Sequence, residues 1–297
     1  MSDHPLVGPT QLEQMTRSLP TVIIDTRAAE AYALGHIPGA INRHDIFTFL
    51  ATSSKKGLEE LRNKFSESFG AAGLSGEEVA VIYEESMNSG FGQSCRGYFL
   101  LQFLGYPKAV ILHGGYQAWL AEGLSVSTEI PTPAAKPFPR NESAADIMLT
   151  KDDMLAALER PDIIKLDVRD VDEWIGASSS PYGADFCPRK GRIPGAVWLE
   201  WYRMMKPGKV TPVFKSQEEL RAECATVGIR AESAVYLYCF KGARAANTFV
   251  ALKEAGVKDV RLYFGSWNEW SRDPGLPVES GHISWGNSIR GSAHPDL

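Results

Sequence analysis

Six consecutive residues, Cys239-Phe240-Lys241-Gly242-Ala243-Arg244, bring together the parts of a reactive thiolate and an anion site. A cysteine becomes a strong nucleophile when it loses its proton, and nearby cations favour the ionised form. Lys241 and Arg244 supply two such cations. Gly242 allows a left-handed turn in which successive backbone N–H groups converge on a bound anion, and a helix starting just beyond the loop adds its positive end. The expected chemistry is nucleophilic attack by Cys239 on an anionic substrate held by Phe240, Lys241, Gly242, Ala243 and Arg244. On composition alone, a lone cysteine at a strand end is more often a small buried apolar residue. The glycine and the two cations within five residues turn the reading toward function.

The elements that must position this loop are legible around it. Short apolar runs at Val22 to Ile24, Val79 to Tyr83, Ala109 to Leu112, Ile163 to Leu166, Val235 to Tyr238 and Val260 to Tyr263 read as buried strands. Tyr98 to Leu104 and Ala246 to Ala255 read as helices, each closed by a glycine, Gly105 or Gly256. Strands alternating with helices imply parallel α/β sheets, whose ligands collect where strands end and helices begin. Cys239 falls on that edge, directly after Tyr238.

The pattern occurs twice. Asp25-Thr26-Arg27 leads to Gly35-His36-Ile37-Pro38-Gly39-Ala40, and Asp167-Val168-Arg169 leads to Gly191-Arg192-Ile193-Pro194-Gly195-Ala196. Gly105 to Trp119 then matches Gly256 to Trp270 in register. Asp25 and Asp167 lie 142 positions apart, but Ile37 and Ile193 lie 156 apart, so the second copy carries 14 extra residues, at about Ser178 to Lys190. In the first copy Glu84, or with a one-residue slip Tyr83, takes the place of Cys239, and the loop from Glu85 to Gly97 is longer. That copy is expected to be catalytically silent. Asp25 with Arg27 and Asp167 with Arg169 recur in both copies, so a shared structural pairing explains them more economically than catalysis does.

With 297 residues, 44% of them hydrophobic and 23% charged, the chain suits two globular domains. The expected division is a first domain over 1–125, a connector over 126–145 and a catalytic domain over 146–297. The connector contains Pro131, Pro133, Pro137 and Pro139, a spacing that disfavours helix. The polar stretch from Ser280 to Leu297 is a loose tail or a cover over the other domain. A net charge of -5 gives no general attraction to nucleic acid or acidic membranes. No basic leader or long apolar run is present, so neither a membrane nor a nucleic acid is an expected partner, and a cytoplasmic monomer is expected. The four cysteines, Cys95, Cys187, Cys224 and Cys239, lack the spacing of a zinc site or a disulfide scaffold.

Asp-x-Arg with Gly-His-Ile-Pro-Gly-Ala in the first copy, Cys-x-x-Gly-x-Arg in the second, and Gly-Ser-Trp-x-Glu-Trp at Gly265 to Trp270 together resemble the tandem-domain rhodaneses. The resemblance runs from about Thr10 to Val278, and its last motif is similar to that of thiosulfate and 3-mercaptopyruvate sulfurtransferases. It implies two rhodanese-like α/β domains, each a mainly parallel sheet flanked by helices. It also implies a persulfide on Cys239, formed from a sulfur donor and passed to a thiophilic acceptor such as cyanide or a thiol, with ping-pong kinetics and no metal or organic cofactor.

Within that resemblance the loop discriminates among chemistries. Rhodanese-fold phosphatases use Cys-x5-Arg, whereas Arg244 comes one residue earlier here, which suits sulfur better than phosphate. Lys241 stands at a position that is basic in thiosulfate-using members, so thiosulfate is the expected donor. Two departures from that pattern, Glu173 in place of a substrate-binding arginine and Phe240 in place of a basic residue, mean either that Arg244 compensates or that the donor is 3-mercaptopyruvate or another thiol. A non-catalytic binding or sensing module would not need the intact cysteine loop. Arg189, Lys190 and Arg192, at the end of the insertion, are expected to line the mouth of the pocket. Trp119 and Trp270 are expected in cores, with Ser266 and Glu269 at most supporting the site.

Overall fold

The computed structural model describes residues 4–141 and 146–280. Its first half runs β1 (Leu6–Val7), α1 (Pro9–Ser18), β2 (Thr21–Asp25), α2 (Ala29–Leu34), β3 (Ile41–Asn42), α3 (Asp45–Thr48), α4 (Lys55–Ala71), β4 (Val79–Tyr83), α5 (Gln93–Phe103), β5 (Ala109–Leu112) and α6 (Gly115–Ala121). The second half runs β6 (Met148–Leu149), α7 (Lys151–Ala156), β7 (Ile163–Asp167), α8 (Val171–Trp174), β8 (Val197–Trp198), β9 (Met205–Lys206), β10 (Val213–Phe214), α9 (Gln217–Ala225), β11 (Ala234–Tyr238), α10 (Ala243–Glu254), β12 (Asp259–Tyr263) and α11 (Ser266–Arg272). Among the described residues, no helix is long and apolar enough to cross a membrane.

Each half is a five-stranded sheet, in the order β1-β5-β4-β2-β3 or β6-β12-β11-β7-β8, with every pairing parallel. The α/β class expected from the sequence is therefore the one observed. The central β4 is buried at all five positions, as a strand covered by helices on both faces must be. A small antiparallel hairpin, β9 with β10, is particular to the second half. In each sheet the order reverses between the second-copy pair β7 and β11, or β2 and β4, so a crevice opens at the carboxyl ends of those strands. Cys239 follows β11 at that point.

Local signals explain the helices. Ser54 caps α4 by accepting the Gly57 N–H, and Leu61, Phe65 and Phe69 then recur every fourth residue on its buried face. Thr150 with Asp153, and Ser216 with Glu219, form reciprocal capping boxes on α7 and α9. The two copies meet along α5 and α10. The Phe99 ring packs edge-on to Phe249, with centroids 5.1 Å apart, and stacks on Phe264 at 5.8 Å. Polar clamps flank this core. Glu269 accepts the Ser53 N–H and hydroxyl, both at 2.7 Å, and the Phe214 N–H donates to His113 Nε2 at 2.9 Å.

The described part of the proline-rich connector, 126–141, is irregular and lies against the first sheet unit. Ser127 bridges to His36, the Lys136 N–H donates to the Gly70 carbonyl, and Phe138 stacks on Tyr106. Of the polar C-terminal stretch only Ser280 is described, and residues 281–297 lie outside the described residues.

Candidate active site at Cys239

The carboxyl edge of the second sheet is braced by a buried ion pair. Arg169 grips both oxygens of Asp167, at 2.6 to 3.0 Å, and its Nη2 also donates to the Gly191 carbonyl. The Tyr238 hydroxyl donates to Asp167 at 2.7 Å and accepts the Ile193 N–H. Both members of the ion pair are fully buried, and the bidentate geometry with added hydrogen bonds offsets their desolvation. The first copy repeats this with Arg27, Asp25, Tyr83 and Ile37. The Asp-x-Arg motif is thus structural in both halves.

One residue past Tyr238, the loop turns sharply. Gly242 takes φ +89°, and a Cβ there would meet the Phe264 ring at 3.0 Å and its carbonyl oxygen at 3.2 Å. This conformation aims the Gly242 N–H at Cys239 Sγ, 3.2 Å away, just ahead of the twelve-residue α10. Helix α11 holds the loop from behind: the Trp267 N–H donates to the Cys239 carbonyl at 2.9 Å and the Asn268 N–H to the Phe240 carbonyl at 3.0 Å. Ser266 Oγ accepts the Cys239 N–H and donates to the Tyr263 carbonyl. A backbone donor and a helix N-terminus converge on the sulfur, an arrangement that stabilises negative charge there.

Cys239 lies on a cavity of about 310 Å³ lined by Phe47, Phe91, Asp170, Pro181, Tyr182, Phe240, Lys241, Ala243 and Arg244. Phe47 and Phe91 come from the first copy, and Pro181 and Tyr182 from the second-copy insertion. The charges are unequal in status. Arg244 forms a bidentate pair with the buried Glu173, at 2.6 and 3.1 Å, and sits 3.0 Å from Asp170. Burial would lower the Arg244 pKa, but the Glu173 carboxylate outweighs it and holds the guanidinium firmly charged. Lys241 instead places Nζ 3.8 Å over the Phe47 ring and 5.3 Å from that of Tyr182. Burial first, and then the Arg96 and Arg244 cations, bring its pKa down to about 8. Behind the loop, the buried Arg96 donates to the carbonyls of Ile46, Phe47 and Phe49 at 2.7 to 2.8 Å. Burial draws its pKa down to about 10.

One sequence expectation needs correction, that of a basic cluster at the pocket mouth. Arg244 reaches the cavity, but two carboxylates already share its charge. Arg192 is not among the residues lining the cavity: it binds Glu279 and the Trp174 carbonyl and stacks 4.0 Å over the Trp174 ring. Arg189 and Lys190 are also turned to structural work. Arg189 caps the C-terminal end of α11 through the carbonyls of Trp270, Ser271, Asp273 and Leu276, and Lys190 binds the Ala177 carbonyl. What the insertion brings to the mouth is Pro181 and Tyr182, not the basic cluster. Cys95 and Cys187 are buried, and burial raises both thiols, Cys187 to about 11. Phe47, Phe91, Arg96 and Tyr182 carried no local signal in the sequence, because they approach the cysteine only through the tertiary fold.

The profile of the rhodanese-like domain matches residues 8–122 and again residues 150–273. The chain belongs to the rhodanese family. A thiosulfate sulfurtransferase of Azotobacter vinelandii is 30% identical over 277 residues, covering 92% of this chain and 96% of that one. A thiosulfate sulfurtransferase of Pseudomonas aeruginosa is 29% identical over 286 residues, covering 94% and 98%. Among solved structures, a variant of EanB in complex with ergothioneine matches with a TM-score of 0.80 at 24% identity, covering 94% of this chain and 70% of that one. The anaerobic ergothioneine biosynthesis enzyme from Chlorobium limicola, bound to trimethyl histidine, matches with a TM-score of 0.75 at 24% identity and the same coverage. The likeness to these two is one of fold.

Superposing the hydrogen-bond patterns of the two rhodanese copies resolves which residue replaces the cysteine. The Tyr116 N–H donates to the Glu84 carbonyl as Trp267 does to Cys239, and Gln117 to Glu85 as Asn268 does to Phe240. Glu84 therefore stands where Cys239 does, and Tyr83 where Tyr238 does. The Glu84 carboxylate fills its own anion nest, accepting the Gln93 N–H at 2.9 Å and the Ser94 hydroxyl at 2.8 Å. Burial pushes its pKa up to about 8, although those donors pull the other way. The same correspondence pairs Glu85 with Phe240. Glu85 satisfies Arg27 Nη1, whereas Arg169 Nη1 is left without a partner.

Proposed function

We propose that this rhodanese moves a sulfane sulfur from thiosulfate to a thiophilic acceptor, cyanide or a thiol, through a persulfide on Cys239. The carrying observation is the Gly242 N–H directed at Cys239 Sγ at the mouth of α10, on a cavity that also holds Lys241. In the first half-reaction the Cys239 thiolate attacks the sulfane sulfur, a new S–S bond forms, the sulfur–sulfur bond of thiosulfate breaks, and sulfite leaves with the electron pair. Lys241 balances charge on the incoming dianion. In the second, the acceptor takes the outer sulfur and the electron pair returns to Sγ, giving ping-pong kinetics. Residues 146–297 form the catalytic unit, 126–145 the linker, and 1–125 a silent unit in which Glu84 cannot carry sulfur. The chain works as a cytoplasmic monomer with small-molecule partners.

One observation favours a second donor, 3-mercaptopyruvate. With Arg244 committed to Glu173, a single cation without a carboxylate partner faces the cavity among the described residues, which suits a monocarboxylate as well as a dianion. Intact mass after mixing the chain with each donor separates the readings. A gain of one sulfur with thiosulfate, lost in Cys239→Ser, supports the first, and gain with mercaptopyruvate alone supports the second. No gain with either donor, or an undiminished gain in the serine variant, removes both.

A further inference from the structure

We infer that the acceptor taken by this site is an organic thiol with an aromatic body, seated between the two halves of the molecule. This rests on the persulfide reading above. The cavity of about 310 Å³ has room for roughly ten water-sized groups, well beyond the five atoms of thiosulfate. Its walls are Phe47 and Phe91 from the silent copy, Pro181 and Tyr182 from the insertion, and Phe240 from the cysteine loop, with Lys241 among them. The Tyr182 and Phe240 rings lie 5.0 Å apart. A wall of this kind gains from a flat apolar body, through area burial and offset or edge contacts between rings.

Two of these rings are held at the rim rather than buried for stability. Phe91 is 46% and Tyr182 47% exposed. Phe91 also adopts φ +55°, a left-handed backbone that costs energy in a bulky residue, beside Gly92, where a Cβ would strike the Ala243 carbonyl at 2.5 Å. The chain thus accepts strain to hold an aromatic ring on the cavity that Cys239 also lines. Charge agrees with the shape. Lys241 is the lining cation without a carboxylate partner among the described residues, matched to one negative charge, the acceptor's thiolate. That thiolate attacks the outer sulfur of the Cys239 persulfide and an S–S bond forms to it. The bond from Sγ breaks, its electron pair stays on Sγ, and the product leaves as an organic persulfide, keeping the proton of the outer sulfur.

The test loads the full chain with thiosulfate and follows loss of the persulfide by intact mass, using two thiols of similar acidity, 2-phenylethanethiol and ethanethiol. At equal sub-saturating concentration the phenyl thiol is expected to discharge the persulfide about tenfold faster or more, and Phe91→Ala and Tyr182→Ala each to narrow that ratio about fivefold. Equal rates for the two thiols, or a ratio that neither variant narrows, overturns the inference. If no persulfide forms, the catalytic reading has failed, and the pocket is then tested with 2-phenylethanol, which has no thiol. It is expected to slow alkylation of Cys239 by iodoacetamide in the wild-type chain, and to do so less in the two variants. Alkylation at the same rate with and without the alcohol overturns the inference independently.

Discussion

Lys241 puts an ammonium against two aromatic faces with its pKa brought down to about 8, whereas in the unfolded chain it titrates near 10.5. Between those values the unfolded chain binds more protons than the folded one, so stability from this group rises with pH there, and below about pH 8 the buried charge is a net cost. Lys241→Met is therefore expected to gain stability at pH 7, about 1 kcal/mol once solvent screening is allowed for, while losing about tenfold or more in kcat/KM for thiosulfate. In the wild-type chain, kcat/KM for thiosulfate is expected to fall as pH passes 8, and Lys241→Arg to carry activity to higher pH because arginine keeps its proton. Thermal melts with pH–rate profiles check this, and a destabilised methionine variant would contradict it. Glu173 makes the opposite trade. Replacing it by Gln leaves buried Arg244 with Asp170 alone, so a loss of about 3 kcal/mol is expected, together with a lower KM for thiosulfate as Arg244 turns toward the cavity. Urea unfolding and steady-state kinetics measure the two effects. A variant with unchanged KM would mean that Arg244 does not reach the donor.

The elements that position these residues differ in how plainly the sequence announces them. β4 was legible because a parallel strand buried on both faces reads as an apolar run, and β7, β11 and β12 because β-branched, Leu and Tyr residues dominate them despite Lys165 in β7 and Arg261 in β12. The two-residue edge strands β1, β3, β6 and β8 are too short to show a period, and α4 went unread although its Leu61, Phe65 and Phe69 stripe is helical. Helices α5 and α10 begin at Gln93 and Ala243, ahead of the expected Tyr98 and Ala246, because Gly92 and Gly242 turn the chain straight into them. That detail matters chemically, since it places a helix N-terminus against Cys239 in one copy and Glu84 in the other. Glu84 keeps a proton up to about pH 8 in the fold but loses it near 4.5 when unfolded. The folded chain binds the extra proton in that interval, so stability from this group falls as pH rises from 4.5 to 8. Glu84→Gln, which keeps an acceptor for the Gln93 N–H, is expected to remove this slope and to gain on the order of 2 kcal/mol at pH 8. Urea melts at pH 5 and pH 8 decide it: an equal change at both values would show that Glu84 does not titrate in this interval.

At the scale of the molecule, the cysteine loop belongs to one copy and its cavity to both. The cysteine loop was readable because its residues are contiguous in sequence, whereas Phe47, Phe91 and Arg96 approach it only by the packing of the first copy on the second. That packing makes one hydrophobic cluster that spans the two copies, with Phe99 against Phe249 and Phe264 within it, while each copy keeps a further buried cluster of its own. A shared core of this kind couples the halves, so the wild-type chain is expected to unfold in one transition with equal calorimetric and van't Hoff enthalpies. Phe99→Ala removes the ring that bridges the copies and should cost about 3–5 kcal/mol. The loss falls on the interface, where the Glu269 clamp to Ser53 remains but cannot replace the lost apolar contacts. The variant is therefore expected to melt over a broader range, with the van't Hoff enthalpy falling below the calorimetric one, and to lose activity before either sheet unfolds, because Phe47 and Phe91 no longer complete the cavity at Cys239. Two separate transitions in the wild-type chain would show instead that the halves are stable alone and that the cavity forms by docking of independent domains.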